Sequence, residues 1–157
     1  MEKPAIYVET SVVSYVVARP SRDLIVAAHQ QLTVAWWEEQ RQNYDLFVSQ
    51  IVIEEARAGD PETAERRLAA IENLRLLDIN EEAIQLAQNL IKSHAVPEKA
   101  ARDALHIGVA CVGAMDYLIT WNCKHIANAK TRTLIEKTCR SGGYAAPIIC
   151  TPEELED

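Results

Sequence analysis

Five short runs of β-forming residues alternate along the chain with segments that have helical hydrophobic spacing. This alternation constrains the fold more than any other feature, because strands separated by helices pair in parallel and bury both faces of the sheet. We therefore expect an α/β protein, a three-layer α/β/α sandwich with a mainly parallel sheet of about five strands. The chain has no repeat or long linker, so residues 1–157 are expected to form a single domain. The predicted strands are residues 6–8, 46–48, 74–79, 117–120 and 147–150.

Residues with short polar side chains precede most of the helical segments, where they can accept hydrogen bonds from the first free N–H groups of a helix. The predicted caps are Thr10 or Ser11, Ser21, Ser49, Asp60, Asn80 and Asn122, and Thr151-Pro152-Glu153-Glu154 has the pattern of a capping box.

The composition is typical of a soluble globular protein, with 48% hydrophobic and 25% charged residues. No apolar run approaches the length of a membrane span, and the first four residues do not resemble a signal peptide. We therefore expect a cytoplasmic protein that does not enter a membrane. The four cysteines lie far apart, which predicts reduced, structural thiols and argues against zinc or redox chemistry.

The net charge of −7 argues against a broad basic surface that binds nucleic acid nonspecifically. It does not exclude an enzyme that acts on nucleic acid, because several acids can converge on one site where a bound metal reverses the local field.

Glu9 places a carboxylate directly after the first predicted strand, Ile6-Tyr7-Val8. In open α/β sheets, ligands bind at the carboxyl ends of the strands. A carboxylate delivered there by a buried strand is costly without a partner, which is usually a cation. The alternative is that Glu9 only caps or salt-bridges the end of the strand.

Two further acids occupy positions from which the fold can bring them close to Glu9. Glu55 lies on the helix after the second strand, and Asp103 lies near the start of an otherwise apolar helix before the fourth. Neighbouring carboxylates repel each other, so either their pKa values rise or a divalent cation holds them. Oxygen-rich sites suit Mg²⁺ or Mn²⁺, and the matching reaction is phosphodiester hydrolysis.

Four short motifs combine the acids with neighbouring polar and apolar residues: Tyr7-Val8-Glu9-Thr10-Ser11, Val52-Ile53-Glu54-Glu55-Ala56, Asp103-Ala104-Leu105-His106-Ile107 and Leu118-Ile119-Thr120-Trp121-Asn122. They occur in the order and spacing of PIN domains, and the chain resembles the VapC-like branch, the ribonuclease toxins of type II toxin–antitoxin pairs. The resemblance spans nearly the whole chain and implies an endoribonuclease that depends on Mg²⁺ or Mn²⁺. It also implies a homodimer held inactive by an antitoxin, a segment of which enters the acidic groove.

The resemblance also assigns roles to individual residues. It implies that Glu9, Glu55 and Asp103 are catalytic metal ligands, and that Thr10 and Ser11 are supporting hydroxyls beside the first acid. Asn122 falls where many relatives have a fourth acid, although Asn is also common there, and the resemblance implies a catalytic residue that orients water or ligands. The first acid of the family is usually Asp, so Glu9 is one methylene longer. Together with the uncharged Asn122, this leaves a catalytically weakened binding module as the alternative function.

Several other residues have a functional and a structural interpretation. Asp116 is either a further acid or, as turn preferences favour, a turn residue. His106 is more often a packed helix histidine than a ligand. Trp36 and Trp37 indicate core or interface packing, with stacking on nucleic acid as the lesser alternative. The basic residues that either contact phosphate or form a solvated surface are Arg102, Lys124, His125, Lys130 and Arg132.

Overall fold

The computed structural model describes residues 2–156 and contains all five predicted strands, with ends that differ from the prediction by at most two residues. The strands are β1 (Ala5–Val8), β2 (Asp45–Ser49), β3 (Arg75–Leu77), β4 (Tyr117–Ile119) and β5 (Ile148–Cys150). The helices are α1 (Thr10–Val17), α2 (Leu24–Glu39), α3 (Gln50–Ala56), α4 (Pro61–Ile71), α5 (Glu81–Lys92), α6 (Ala101–Val112) and α7 (Ala129–Ser141). Short 3₁₀ turns occupy Arg41–Asn43, Glu98–Ala100 and Pro152–Leu155.

The five strands form one sheet in the order β3-β2-β1-β4-β5, and every neighbouring pair is parallel. The chain therefore starts at the central strand, builds outward through β2 and β3, and then returns to the other side of β1. Right-handed crossovers place α1 to α4 on one face of the sheet and α5 to α7 on the other. In agreement, α1 packs against α2, α3 and α4, while α5 packs against α6 and α7. The predicted three-layer architecture is confirmed, and its topological switch point lies between β1 and β4.

The core is continuous through both layers, and the central strand contributes Ile6, Tyr7 and Val8, which are all fully buried. Trp36 and Trp37 on α2 are also buried, so core packing is the correct interpretation of the two tryptophans. Burial of both rings excludes them as a stacking surface for nucleic acid in this conformation.

Three of the predicted caps are wrong, and each is replaced by a neighbouring residue. Glu9 caps α1 through its own carboxylate, so Thr10 and Ser11 lie inside the helix rather than before it. Asp23 replaces Ser21 as the cap of α2. The helix expected to begin at Asn122 begins later and is capped by Asn128, because residues 123–126 form a separate turn.

The remaining caps divide into two groups. Asp60 and Asn80 accept hydrogen bonds from the first turns of α4 and α5, as predicted. Ser49 and Thr151 stand at cap positions without capping through their side chains, so the predicted capping box does not form. The hydroxyl of Ser49 is instead bonded to Tyr7, which connects it to the site described below.

The four cysteines are free thiols, with Cys111, Cys139 and Cys150 buried and Cys123 exposed. Burial raises the pKa of Cys150 to about 12, which makes this thiol unreactive near neutral pH. Within residues 2–156, none of the helices has both the length and the apolar character that crossing a bilayer requires.

Candidate metal site

The ends of β1 and β4 meet at the switch point and place Glu9 and Thr120 side by side. The backbone N–H of Glu9 donates to the carbonyl oxygen of Ile119 at 3.1 Å, which extends the β1–β4 pairing by one residue. Glu9 and Thr120 each follow the last residue of a strand. Their side chains therefore lie at the carboxyl edge of the sheet, where α/β proteins bind ligands.

The Glu9 carboxylate is held by three donors from the protein. Its Oε1 accepts hydrogen bonds of 2.5 Å from the hydroxyls of both Ser11 and Thr120. Its Oε2 accepts from the backbone N–H of Ser11 at 3.1 Å. Because each hydroxyl gives its single proton to Glu9, each can accept another hydrogen bond. The N–H of Trp121 donates to Ser11 Oγ at 2.8 Å, and that of Asn122 donates to Thr120 Oγ1 at 2.9 Å.

Glu55 lies on α3, and its carboxylate is also at the carboxyl edge of the sheet, where it contacts Thr10. Its Oε1 accepts from the Thr10 hydroxyl at 2.7 Å and lies 2.6 Å from Nε2 of His106. Partial burial of Glu55 raises the pKa of its carboxyl, but the bonds from His106 and Thr10 and the charges of His106 and Arg102 outweigh that effect. The net result is a pKa below the ordinary value, so Glu55 is ionised at neutral pH.

His106 lies on α6 with its ring fully buried. Its Nδ1 is 2.7 Å from the hydroxyl of Tyr7, and that hydroxyl is 2.7 Å from Ser49 Oγ. Burial raises the pKa of Tyr7 far above its usual range, so Tyr7 remains a neutral phenol. A buried chain of hydrogen bonds thus runs from Ser49 through Tyr7 and His106 to Glu55.

The residues converge closely enough to form a metal site. One carboxylate oxygen each from Glu9 and Glu55 and one ring nitrogen of His106 lie within 4.8 Å of one another. Glu9 is only 5% exposed, yet across residues 2–156 the one basic side chain in ion-pair range of either carboxylate is His106, which contacts Glu55. A buried carboxylate without a cationic partner is costly, and a divalent ion supplies that partner. The two carboxylates of this group therefore fit Mg²⁺ or Mn²⁺.

Of the other predicted site residues, Thr10 and Ser11 contact the acids, whereas Asp103 and Asn122 lie outside the converging group. Asp103 is half-buried in the first turn of α6, one helical turn before His106, and it lies outside the group of three converging ligand atoms. Asn122 lies next to Thr120, but its side-chain oxygen accepts from the N–H of His125 and stabilises the local turn. Thr10 and Ser11 both contact the acids, with Thr10 bonded to Glu55 and Ser11 to Glu9.

Asp116 lies far from this site. Its carboxylate accepts from the backbone N–H of Ala5 at 2.8 Å, at the beginning of β1. Glu9 follows the other end of β1. The four steps of extended chain from Ala5 to Glu9 span about 13 Å. The structure therefore does not bring Asp116 to the two acids.

Sequence reasoning missed Thr120 and assigned His106 a packing role. Both had a detectable signal, since Thr120 lies at the carboxyl end of the fourth predicted strand, and His106 is three residues after Asp103. Residues at that spacing share a helix face, with Cβ atoms about 5–6 Å apart. Tyr7 gave no such signal, because an aromatic residue in a buried strand is ordinarily core.

Comparison with known proteins identifies the fold. A chain in the crystal structure of VapBC2 from Rickettsia felis, bound to a DNA fragment from their promoter, superimposes with a TM-score of 0.55. The match covers 76% of this chain and 89% of that chain at 16% sequence identity. No protein-family model and no curated protein matches the sequence. The fold and the site together define an α/β protein with a carboxylate cluster at its switch point, and it shares its fold with a component of that complex.

Proposed function

We propose that this protein is a metal-dependent endoribonuclease of the VapC-like PIN class, and that it hydrolyses RNA phosphodiester bonds. The observation that carries the proposal is the convergence of Glu9 and Glu55 at the switch point. The two acids come from separate elements, and the more buried of them has no basic side-chain partner within the described part of the chain. Such an arrangement is typical of a site completed by a cation.

Two further observations support the proposal. The fold is shared with a chain of the VapBC2 structure, which makes a toxin-like nuclease a natural candidate. The four motifs that resemble PIN domains include both converging acids and Thr120, which contacts Glu9. A divalent ion at this site would supply Lewis acidity and neutralise charge on the phosphoryl group during hydrolysis.

The residues of the chain would divide the work as follows. Glu9 and Glu55 hold the ion, and Ser11 and Thr120 keep the Glu9 carboxylate in one orientation through their hydrogen bonds. Asp103, which is half-buried one helical turn before His106, would supply a third carboxylate to the site. Arg102 is exposed, and its positive charge contributes to lowering the pKa of Glu55. It is therefore placed to attract the RNA backbone.

The proposed partners follow from the same class. We propose an antitoxin that covers the acidic groove, and a homodimer as the assembled state. The neighbouring structure contains VapBC2 bound to DNA, which supports a protein partner of the antitoxin kind. Co-expression with an antitoxin of the same operon, followed by measurement of the mass of the complex, tests both partners.

The experiment is cleavage of a panel of structured RNAs by the purified protein with Mg²⁺, with Mn²⁺ or with EDTA. Glu9→Gln and Asp103→Asn are compared with Glu54→Gln, since Glu54 is exposed on the same helix as Glu55. We expect metal-dependent cleavage that is lost in Glu9→Gln, strongly reduced in Asp103→Asn and unchanged in Glu54→Gln. Cleavage that persists in EDTA and in Glu9→Gln would refute the proposed mechanism.

One observation favours the alternative of a binding module without catalysis. Glu9 accepts three hydrogen bonds and Oε1 of Glu55 accepts two, so the protein itself stabilises both carboxylates to a large extent. Calorimetry separates the two functions, because a folded protein that neither binds Mn²⁺ nor cleaves RNA is the binding module.

A further inference from the structure

We propose that His106 is a positioning residue for Glu55 and not a metal ligand, and that Tyr7 fixes its imidazole for this role. The inference rests on the proposed function for its catalytic meaning. The geometry of the hydrogen bonds carries it independently of any metal.

The distance between His106 and Glu55 is that of a hydrogen bond. Nε2 of His106 lies 2.6 Å from Oε1 of Glu55. A separation of 2.6 Å is close to the short end of the range for charge-assisted N–H···O hydrogen bonds. A proton therefore occupies the space between these two atoms.

The partners of each atom place that proton on the imidazole. Oε1 of Glu55 also accepts the hydroxyl proton of Thr10 at 2.7 Å, and the lowered pKa of this carboxyl leaves it without a proton to donate at neutral pH. Nε2 of His106 must then be the donor. A protonated Nε2 has no lone pair left for a metal.

Tyr7 and Ser49 hold the other side of the ring. If the Ser49 hydroxyl donates to Tyr7, Tyr7 donates to Nδ1 of His106, and if Nδ1 is protonated, the direction of the chain reverses. Nε2 carries a proton in both arrangements. Because Tyr7, Ser49 and His106 are all fully buried, water does not compete for these bonds and the ring has one orientation.

The consequence for the site is a set of oxygen ligands only. His106 and Thr10 bond to Oε1 of Glu55, whereas no hydrogen bond is made to Oε2 within residues 2–156, so Oε2 remains available to an ion. Carboxylate oxygens select Mg²⁺ and Mn²⁺, whereas an imidazole ligand would favour Zn²⁺ and other transition metals. The buried histidine therefore keeps the selectivity of the site in the oxygen-ligand class.

Two spectroscopic measurements test this assignment. Nitrogen-15 NMR of the metal-free protein is expected to show a proton on Nε2 of His106, and electron spin echo spectra of the Mn²⁺-loaded protein are expected to show no directly bound nitrogen. An unprotonated Nε2, or a nitrogen bound directly to Mn²⁺, would overturn the proposal. If Mn²⁺ does not bind at all, the proposed function fails, and the NMR measurement still decides where the proton lies.

Variants test the positioning role by Mn²⁺ affinity. Tyr7→Phe and His106→Leu are each expected to weaken Mn²⁺ binding about tenfold or more, the usual effect of losing a partner of a ligand. His106→Gln, whose side-chain amide can still donate to Glu55, is expected to recover most of the affinity. Tyr117→Phe is the control, because Tyr117 is the first residue of β4 and lies at the amino-terminal end of the strands, away from the site. Equal loss in the Gln and Leu variants, with native circular dichroism, would show that His106 only fills space.

Discussion

The hydroxyl of Thr120 donates a 2.5 Å hydrogen bond to Glu9 Oε1, which joins two residues that are 111 positions apart in the sequence. Each of them follows a strand, and the two strands are neighbours at the point where the sheet order reverses. This one bond ties the first acid of the site to the second half of the chain. The geometry of Glu9 therefore depends on the completed sheet.

Thr120→Val removes this bond while keeping the shape of the side chain. The change leaves the N–H of Asn122 without its acceptor and Oε1 of Glu9 without one of its two hydroxyl donors. We therefore expect a loss of about 1–3 kcal/mol in the free energy of unfolding. Mn²⁺ affinity should fall about tenfold. Urea unfolding and calorimetry measure the two effects. Thr138→Val, which removes a helix hydroxyl bonded to Leu134, should alter stability alone.

The stability of the metal-free protein should depend on the ionisation of Glu55. Its folded pKa lies below the ordinary value of 4.5, so its contribution is fully present above that value and is lost as the pH falls through the folded pKa. Urea midpoints measured with EDTA between about pH 7 and pH 3, the range in which carboxyls titrate, should show a smaller decline in Glu55→Gln. An unchanged decline in Glu55→Gln, equal to that in Glu54→Gln, would contradict the prediction.

Trp121 and Thr33 should behave as a coupled pair. The indole Nε1 of Trp121 donates to Thr33 Oγ1 at 2.7 Å, and Thr33 is fully buried on α2. Trp121→Phe and Thr33→Val should each cost about 1 kcal/mol of unfolding free energy. The double variant should cost less than the sum, by about 0.5 kcal/mol or more, because both changes remove the same bond. Strictly additive values in urea unfolding would show that the bond contributes nothing.

Gly108→Ala should destabilise the protein. A Cβ at this position of α6 would lie 2.5 Å from the carbonyl oxygen of Ala83 on α5, and this backbone contact cannot yield without moving the helix. We expect a loss of about 1–3 kcal/mol. In an open helix the same substitution gains about 1 kcal/mol, so the sign of the change in thermal or urea unfolding is diagnostic. A stabilised variant would show that α5 and α6 can separate freely.

The alternation of strand and helix patterns was sufficient to predict the fold, because a period of two or of 3.6 is a local property of the chain. The position of Glu9 at the carboxyl edge followed from the same reasoning. Cap positions were less predictable, since Glu9, Asp23 and Asn128 each lie within a few residues of other polar side chains that cap equally well in isolation. The choice among them depends on where tertiary packing starts each helix.

The sequence by itself determined the strands, the parallel sheet and the acids that lie near its carboxyl edge. Only the tertiary structure decided which side chains complete the site. It brought His106 and Thr120 to the two acids, left Asp103 one turn away, and placed Asp116 at the other end of β1. The physical reason is that hydrogen bonds to a buried carboxylate depend on the distance and angle between elements remote in sequence, which no local pattern specifies.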